Sequence, residues 1–215
     1  MTELLASFID YAINLPWLEL VAMLFALAYV LLAAIGSIWC WPAAFVSTAI
    51  YTYIFYDVLL LMDSALNIYY LVMAMYGFWV WQRDISINNE YSSSSLAIIS
   101  WRLNFHVKAC LILTIISLVL GYLMANYSPA DFPYLDTFTT VFAIFATYLV
   151  TQKVLENWLY WLVIDAVSIY LYVSKDLMPT VVLFGIYIII ATWGYFKWRS
   201  LYTNNQIDIK QRVNG

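Results

Sequence analysis

From Trp17 to Trp198 the chain is a succession of apolar stretches, each about as long as the hydrocarbon core of a bilayer is thick. No other feature limits the possible folds so tightly. A spanning helix needs roughly 17–25 apolar residues, and the sequence offers seven, at about 17–37, 39–57, 59–82, 104–125, 134–153, 156–174 and 178–198. The breaks fall at Ile38 to Pro42, Tyr56-Asp57, a Ser-rich loop from Arg83 to Ser100, Asn126 to Pro133, and Lys175-Asp176 ahead of Pro179. Pro42 and Pro179 suit first-turn positions, where an N–H has no intrahelical partner to lose. Lipid offers the backbone no hydrogen bonds, so every span must be helical. Charged residues make up 10% of the chain, against about a quarter in a soluble domain. That is too few to coat a water-facing surface, and the expected fold is an all-α membrane protein.

Counted over seven spans, Arg83, Arg102, Lys108, Lys153, Lys197, Arg199, Lys210 and Arg212 fall on one side and only Lys175 on the other. The positive-inside rule makes the first side cytoplasmic, with the N-terminus outside and the C-terminus inside. Six or eight spans would spoil this sorting. Glu3, Asp10, Glu19, Asp57, Asp63, Asp131, Asp136 and Asp176 lie toward the outer side, where a vestibule of that sign favours a neutral or cationic solute. Residues 1–16 lack the basic start of a signal peptide. Phe8, Tyr11 and Ile13, set among Glu3 and Asp10, predict a short helix lying in the interface. The polar stretch 200–215 predicts a loosely ordered cytoplasmic tail. Cys40 and Cys110 sit in apolar runs without metal or redox spacing and read as small core residues.

The chain matches itself at a fixed offset of 117 residues, so that residues 17–82 lie over 134–199 without a gap. Fourteen of the 66 aligned positions are identical, among them Trp41/Trp158, Tyr53/Tyr170, Tyr70/Tyr187, Gly77/Gly194 and Trp81/Trp198. Apolar bias inflates chance matches of Leu, Val and Ala, but it does not readily produce paired Trp, Tyr and Gly in one register. Each unit holds three helices, and the linking region 83–133 with its one helix makes the offset four spans. An even number of spans leaves both units in the same orientation. The expected architecture is therefore two parallel three-helix repeats joined by a linking helix, three plus one plus three, as in one class of transporters whose solute sits between the repeats.

Two spans carry polar-aromatic stripes at helical spacing. On the sixth, Trp158, Trp161, Asp165, Ser168 and Tyr172 share a face; on the third, Asp63, Asn67, Tyr70, Ala74, Gly77 and Trp81 do. An ionised Asp165 facing lipid would cost several kcal/mol, so it must face a cavity or a partner. A carboxylate flanked by indoles can hold a flat cation, each cation–π contact contributing about 0.5–2 kcal/mol. Spacing alone leaves other readings open. Trp158 and Trp161 also fit an interfacial belt, Asp165 a structural partner for a neighbouring hydroxyl, Asn67 a helix–helix contact and Asp63 a solvated cap. Gly77 and Gly194 read as packing contacts, and the single histidine, His106, as an interfacial residue.

The run Glu156-Asn157-Trp158-Leu-Tyr-Trp161-Leu-Val-Ile-Asp165 resembles the WxxWxxx(D/N) motif of the PnuC family of bacterial nicotinamide riboside transporters. Trp39-Cys-Trp41-Pro42, Asp63 through Asn67 to Tyr69-Tyr70, Tyr76-Gly77-Phe-Trp79-Val-Trp81 and Gly194-Tyr-Phe-Lys-Trp198 are similar to it in order along the chain. The resemblance implies a SWEET-like facilitator of the bacterial plasma membrane, importing nicotinamide riboside that a cytoplasmic kinase then traps. It places binding residues on Trp158, Trp161 and Asp165. Neighbouring faces extend the set to Asn157, Asn67, Tyr70, Tyr148, Gln152 and Tyr187. Nicotinamide riboside is a permanent pyridinium cation, which indoles and a carboxylate suit, with Asn, Gln and Tyr for its ribose. Thiamine, also cationic and aromatic, is the alternative within the same class.

Other function classes fare worse. A membrane enzyme needs a nucleophile with a base or a metal cluster, and one histidine with no G-x-S-x-G elbow offers neither. A retinal photoreceptor needs a lysine inside the last span, where Tyr187 to Ile190 stand instead. A vitamin sensor without transport remains a third class, separable by flux measurement. No cofactor, metal or nucleic-acid partner is expected, and sparse intramembrane charge favours facilitated diffusion over ion coupling.

Overall fold

The computed structural model describes residues 16–57, 61–90, 97–128, 132–174 and 178–214. Seven helices form among them: α1 (Trp17–Ala34), α2 (Cys40–Asp57), α3 (Leu61–Glu90), α4 (Leu103–Tyr127), α5 (Pro133–Thr151), α6 (Asn157–Ser174) and α7 (Met178–Asn214). The expected interfacial segment falls outside the described residues except for Pro16, as do Asp131, Lys175 and Asp176.

Two boundaries differ from expectation. α3 runs past Trp81 to Glu90, into the stretch read as a loop, and α7 runs to Asn214, through the stretch read as a loose tail. Polarity marks where a helix leaves lipid, not where it ends. No Pro or Gly interrupts either extension, and Gln, Arg and Lys are good helix formers.

α1, α4, α5 and the Thr180–Ile207 part of α7 are long and apolar enough to cross a membrane on their own. The other helices carry the polar residues: Ser47, Thr48 and Thr52 on α2, Asp63, Ser64 and Asn67 on α3, Asp165 and Ser168 on α6. Neighbours cover Ser47, Ser64, Asp165 and Ser168, while Asp63 at the start of α3 is exposed. α2 packs between α1 and α3, and α6 between α5 and α7. Ser47 Oγ donates to the Ala22 carbonyl of α1 at 2.9 Å, and Ser64 Oγ to the Thr52 carbonyl of α2 at 3.0 Å.

The contacts recur at the 117-residue offset. α1 ends in a Schellman turn, with Gly36 N donating to Ala33 O and Ser37 N to Leu32 O; α5 ends the same way, with Lys153 N donating to Val150 O and Val154 N to Leu149 O. Both turns need the left-handed region, at φ 73° for Gly36 and φ 56° for Lys153. Between the units α1 packs on α7 and, in the equivalent seam, α5 on α3. Trp198 Nε1 donates to Ala33 O at 3.0 Å, and Trp81 Nε1 to Thr151 O at 3.1 Å. The ends of α1 and α5 and the rings of Trp81 and Trp198 therefore share one end of the bundle, so the units run in the same direction. α4 packs along α5, where Thr137 Oγ1 donates to Ser117 O at 3.0 Å. Its outer face presents Leu111, Ile115, Leu118 and Tyr122, 55–61% exposed, as a lipid-facing stripe.

Candidate functional site

The end of the bundle that carries Arg83, Lys153, Lys197 and Arg199 is closed by four tryptophans. Trp41, Trp81, Trp158 and Trp198 are all 0–3% exposed. Trp41 meets Trp81 edge to face at 5.3 Å, Trp158 meets Trp198 in the same way at 5.5 Å, and Trp81 and Trp198 join the pairs at 6.2 Å. Glycine makes this possible. A Cβ on Gly77 would lie 2.4 Å from the Trp41 ring, and one on Gly194 would lie 2.8 Å from the Trp158 ring. Among the described residues, Nε1 of Trp41 and of Trp158 has no hydrogen-bond partner, a feature the two units share.

Lys153 reinforces one seam. Its Nζ pairs with Asp84 of α3 and lies 5.9 Å above the Trp81 ring. Burial pushes the Lys153 ammonium below the usual lysine range, while the Asp84 carboxylate acts against that shift. Beside it, Ile99 pairs with Val154 in a single bridge, and Glu156 accepts from Ser100 Oγ and from Trp101 N. His106 is not interfacial, as its aromatic-basic surroundings suggest. It is buried, with Nδ1 3.0 Å from Tyr160 Oη and Nε2 3.6 Å from Glu156. These contacts tie the start of α4 to α6.

Above the tryptophans lies a cavity of about 190 Å³, somewhat larger than the roughly 150 Å³ void that accepts benzene in an engineered protein. α2 forms one wall with Trp41, Ala44, Ser47, Thr48 and Tyr51 on a single face. α1 adds Ala26 and Tyr29, α3 adds Asn67 and Tyr70, α5 adds Thr147, and the Trp161 indole of α6 stands in the second unit. No lining side chain carries a formal charge. Ser47 donates to Ala22 O, Thr48 Oγ1 to Ala44 O at 2.8 Å, Asn67 Nδ2 to Asp63 O at 2.9 Å, and Thr147 Oγ1 to Ala143 O at 2.8 Å. With those hydrogens committed to backbone carbonyls, the side-chain oxygens offer lone pairs. The lining is uncharged and mixed around an indole: these oxygens accept, while the hydroxyls of Tyr29 and Tyr70 and the second Nδ2 hydrogen of Asn67 can donate.

Of the residues expected from sequence, Trp161, Asn67 and Tyr70 line this cavity. Asp165 is buried one turn further along α6, and Tyr187 lies within electrostatic range of both Asp165 and Tyr51. Trp158 packs on Gly194 and Trp198 instead. Asn157 begins α6, its Nδ2 donating to Val154 O at 2.7 Å. On α5, Thr147 faces the cavity and its neighbour Tyr148, about 100° around the helix, turns toward Trp101 at 6.5 Å. Gln152 caps α5 and donates to Tyr76 Oη at 3.1 Å.

Tyr29, Trp41, Ala44, Ser47, Thr48, Tyr51 and Thr147 were not anticipated as lining. A signal for the α2 residues existed. Shifting the α6 stripe back by 117 positions carries Trp158, Trp161, Asp165 and Ser168 onto Trp41, Ala44, Thr48 and Tyr51.

Seven packed helices, two like-oriented units and a polar-aromatic cavity lined by both define a helical membrane protein built to pass a small solute. Residues 16–200 match the family described as nicotinamide mononucleotide transporter, and the chain belongs to that family. It is 24% identical over 205 residues to the nicotinamide riboside transporter PnuC of Escherichia coli, with 86% of each chain covered. It is 22% identical over 192 residues to the riboflavin/roseoflavin transporter RibM of Streptomyces davaonensis, with 89% of each covered. A crystal structure of the vitamin B3 transporter PnuC shares the fold, with a TM-score of 0.72 at 19% identity over 94% of this chain and 88% of that one.

Proposed function

We propose that the chain imports nicotinamide riboside across a bacterial cytoplasmic membrane by facilitated diffusion. Two units, residues 17–82 and 134–199, rock about the solute, with 83–133 as the link. The basic end faces the cytoplasm, where a kinase traps the solute as its phosphate. The observation that carries this reading is the cavity itself, an uncharged polar wall of hydroxyl and amide groups facing an indole. A pyridinium ring can lie on Trp161, with Asp165, one turn further along α6, supplying negative potential. Ribose hydroxyls and a carboxamide both donate and accept, which a wall of hydroxyl and amide groups suits, and an uncharged wall does not suit a phosphate. The likeness to the E. coli riboside transporter points the same way.

Riboflavin is the second reading, because RibM is similar over most of the chain. A fused three-ring solute asks for more room than the cavity offers as it stands. Thiamine stays within the same class, as a cationic aromatic.

Labelled riboside taken up by proteoliposomes of the purified protein tests the proposal, with thiamine and riboflavin as competitors. Uptake should stop at equal concentrations unless a riboside kinase is enclosed. No uptake above empty vesicles would end the reading, and accumulation driven by an imposed proton or sodium gradient would end its uncoupled form.

A further inference from the structure

The pseudo-twofold relating the units maps the cavity onto a second position, and comparing the two identifies what makes the site single. The images of Tyr29, Trp41, Ser47, Thr48 and Tyr51 are Ala146, Trp158, Ile164, Asp165 and Ser168, and every one of these images is buried, 0–6% exposed. Ala44 and Trp161 behave differently. They are each other's images, 117 residues apart, and both line the same cavity. They therefore stand near the axis, facing one space from opposite units. The first unit has a methyl where the second has an indole.

Resting on the transport reading above, we propose that Ala44 is the specificity-determining residue of the site. Its small side chain leaves a slot between α2 and the Trp161 indole, and the slot admits one flat ring. The α2 helix cannot retreat to enlarge it. Ser47 holds α2 to the Ala22 carbonyl of α1, and Trp41 is wedged against Gly77 and Trp81. Trp161 sets the opposite wall, so width at this point is governed by two side chains alone. Thr48, one turn beyond Ala44, presents its oxygen to the same space, placing an acceptor beside the ring's edge. Solutes should be sorted by ring thickness and width at Ala44, and by donor content along the α1–α3 wall.

The test titrates nicotinamide riboside calorimetrically into detergent-purified full-length protein, with melting temperature as the folding control. One methylene in an apolar pocket changes affinity by about 10–200-fold, so Ala44→Leu should weaken binding at least tenfold. Trp161→Phe weakens binding in the wild type, where the indole is the stacking surface. In the Ala44→Leu background the same change should strengthen binding, because the smaller ring gives back width. That reversal of sign is something a general packing defect would not produce. Ala44→Ser, only one atom larger, should weaken binding severalfold and carries the test if the leucine variant does not fold. Wild-type affinity in Ala44→Leu or Ala44→Ser, or losses that simply multiply in the double variant, would overturn the assignment. Failure of the wild type to bind any of riboside, thiamine and riboflavin would instead overturn the transport reading beneath it.

Discussion

Replacing Gly77 by alanine tests how closely α3 clamps the cavity floor. The added Cβ would lie 2.4 Å from Cζ2 of Trp41 and 2.5 Å from its Cε2 and Cη2. Carbon atoms rest about 3.5 Å apart, so the ring must withdraw by roughly 1 Å. Trp81 blocks it edge to face at 5.3 Å, and Tyr29 stands at 6.1 Å on another side. The open direction is the cavity, which Trp41 already lines. Overpacking costs about 1–3 kcal/mol, while exchanging Gly for Ala in a helix returns up to about 1 kcal/mol. Net stability should fall by roughly 0–2 kcal/mol, with the larger effect on affinity, a loss of about tenfold or more. Gly194→Ala meets Trp158 at 2.8 Å, a ring outside the cavity lining, and should lower the melting temperature with less effect on binding. Gly185 has nothing within 4 Å of an added Cβ, so Gly185→Ala should be neutral or stabilising. Melting curves and riboside titrations of the three purified variants decide the matter. If Gly77→Ala binds as tightly as Gly185→Ala, Trp41 is not held in the way described.

Trp81→Phe and Trp198→Phe each remove an indole-to-carbonyl bond between the units and should destabilise by about 1–3 kcal/mol; unchanged melting in either would show that its bond does not hold the seam. Lys153→Gly should be more stable than Lys153→Ala by about 1 kcal/mol, since both lose the Asp84 pair but only glycine relieves the left-handed backbone, and equal melting would show no strain there. Trp161→Ala should abolish most riboside binding, whereas Asp165→Asn, which keeps shape and polarity but loses charge at a distance from the lining, should weaken it less. Unchanged affinity in Trp161→Ala would remove this cavity as the binding site.

The helices could be read from the chain because lipid imposes one rule on every span, and the starts of α2 through α7 fall within two residues of expectation. The ends of α3 and α7 could not, because Arg, Lys and Gln end a span without ending a helix. The repeat was visible through Trp41/Trp158, Gly77/Gly194 and Trp81/Trp198, residues whose bulk or absence of bulk makes the inter-helix contacts. The lining was harder. Thr147 and Tyr148 are adjacent and both plausible, and only packing of α5 against α3 and α4 decides which faces inward. Ala44 has no chemistry of its own to mark it, and only its place as the mate of Trp161 in the repeat points to the space it leaves. His106 misled for a related reason: its basic and aromatic neighbours suggest an interface, while its partners Glu156 and Tyr160 lie about fifty residues away.

The two units keep alike what must pack alike, and differ at several positions of the cavity lining. Trp41 and Trp158 rest on Gly77 and Gly194, and Trp81 and Trp198 each reach a carbonyl in the last turn of the facing helix, at positions one residue apart in the repeat. Along the stripe above them, Ala44 answers Trp161, Thr48 answers Asp165 and Tyr51 answers Ser168. A solute with a ring at one end and a sugar at the other has no twofold of its own. A symmetric pocket would offer it the same chemistry twice, and each half would suit only one end. Placing most of the hydroxyl and amide groups on the first unit, and Trp161 with Asp165 behind it on the second, would give such a solute one orientation. The frame can then stay symmetric, so that both units move alike, while the lining distinguishes the two ends of what it holds.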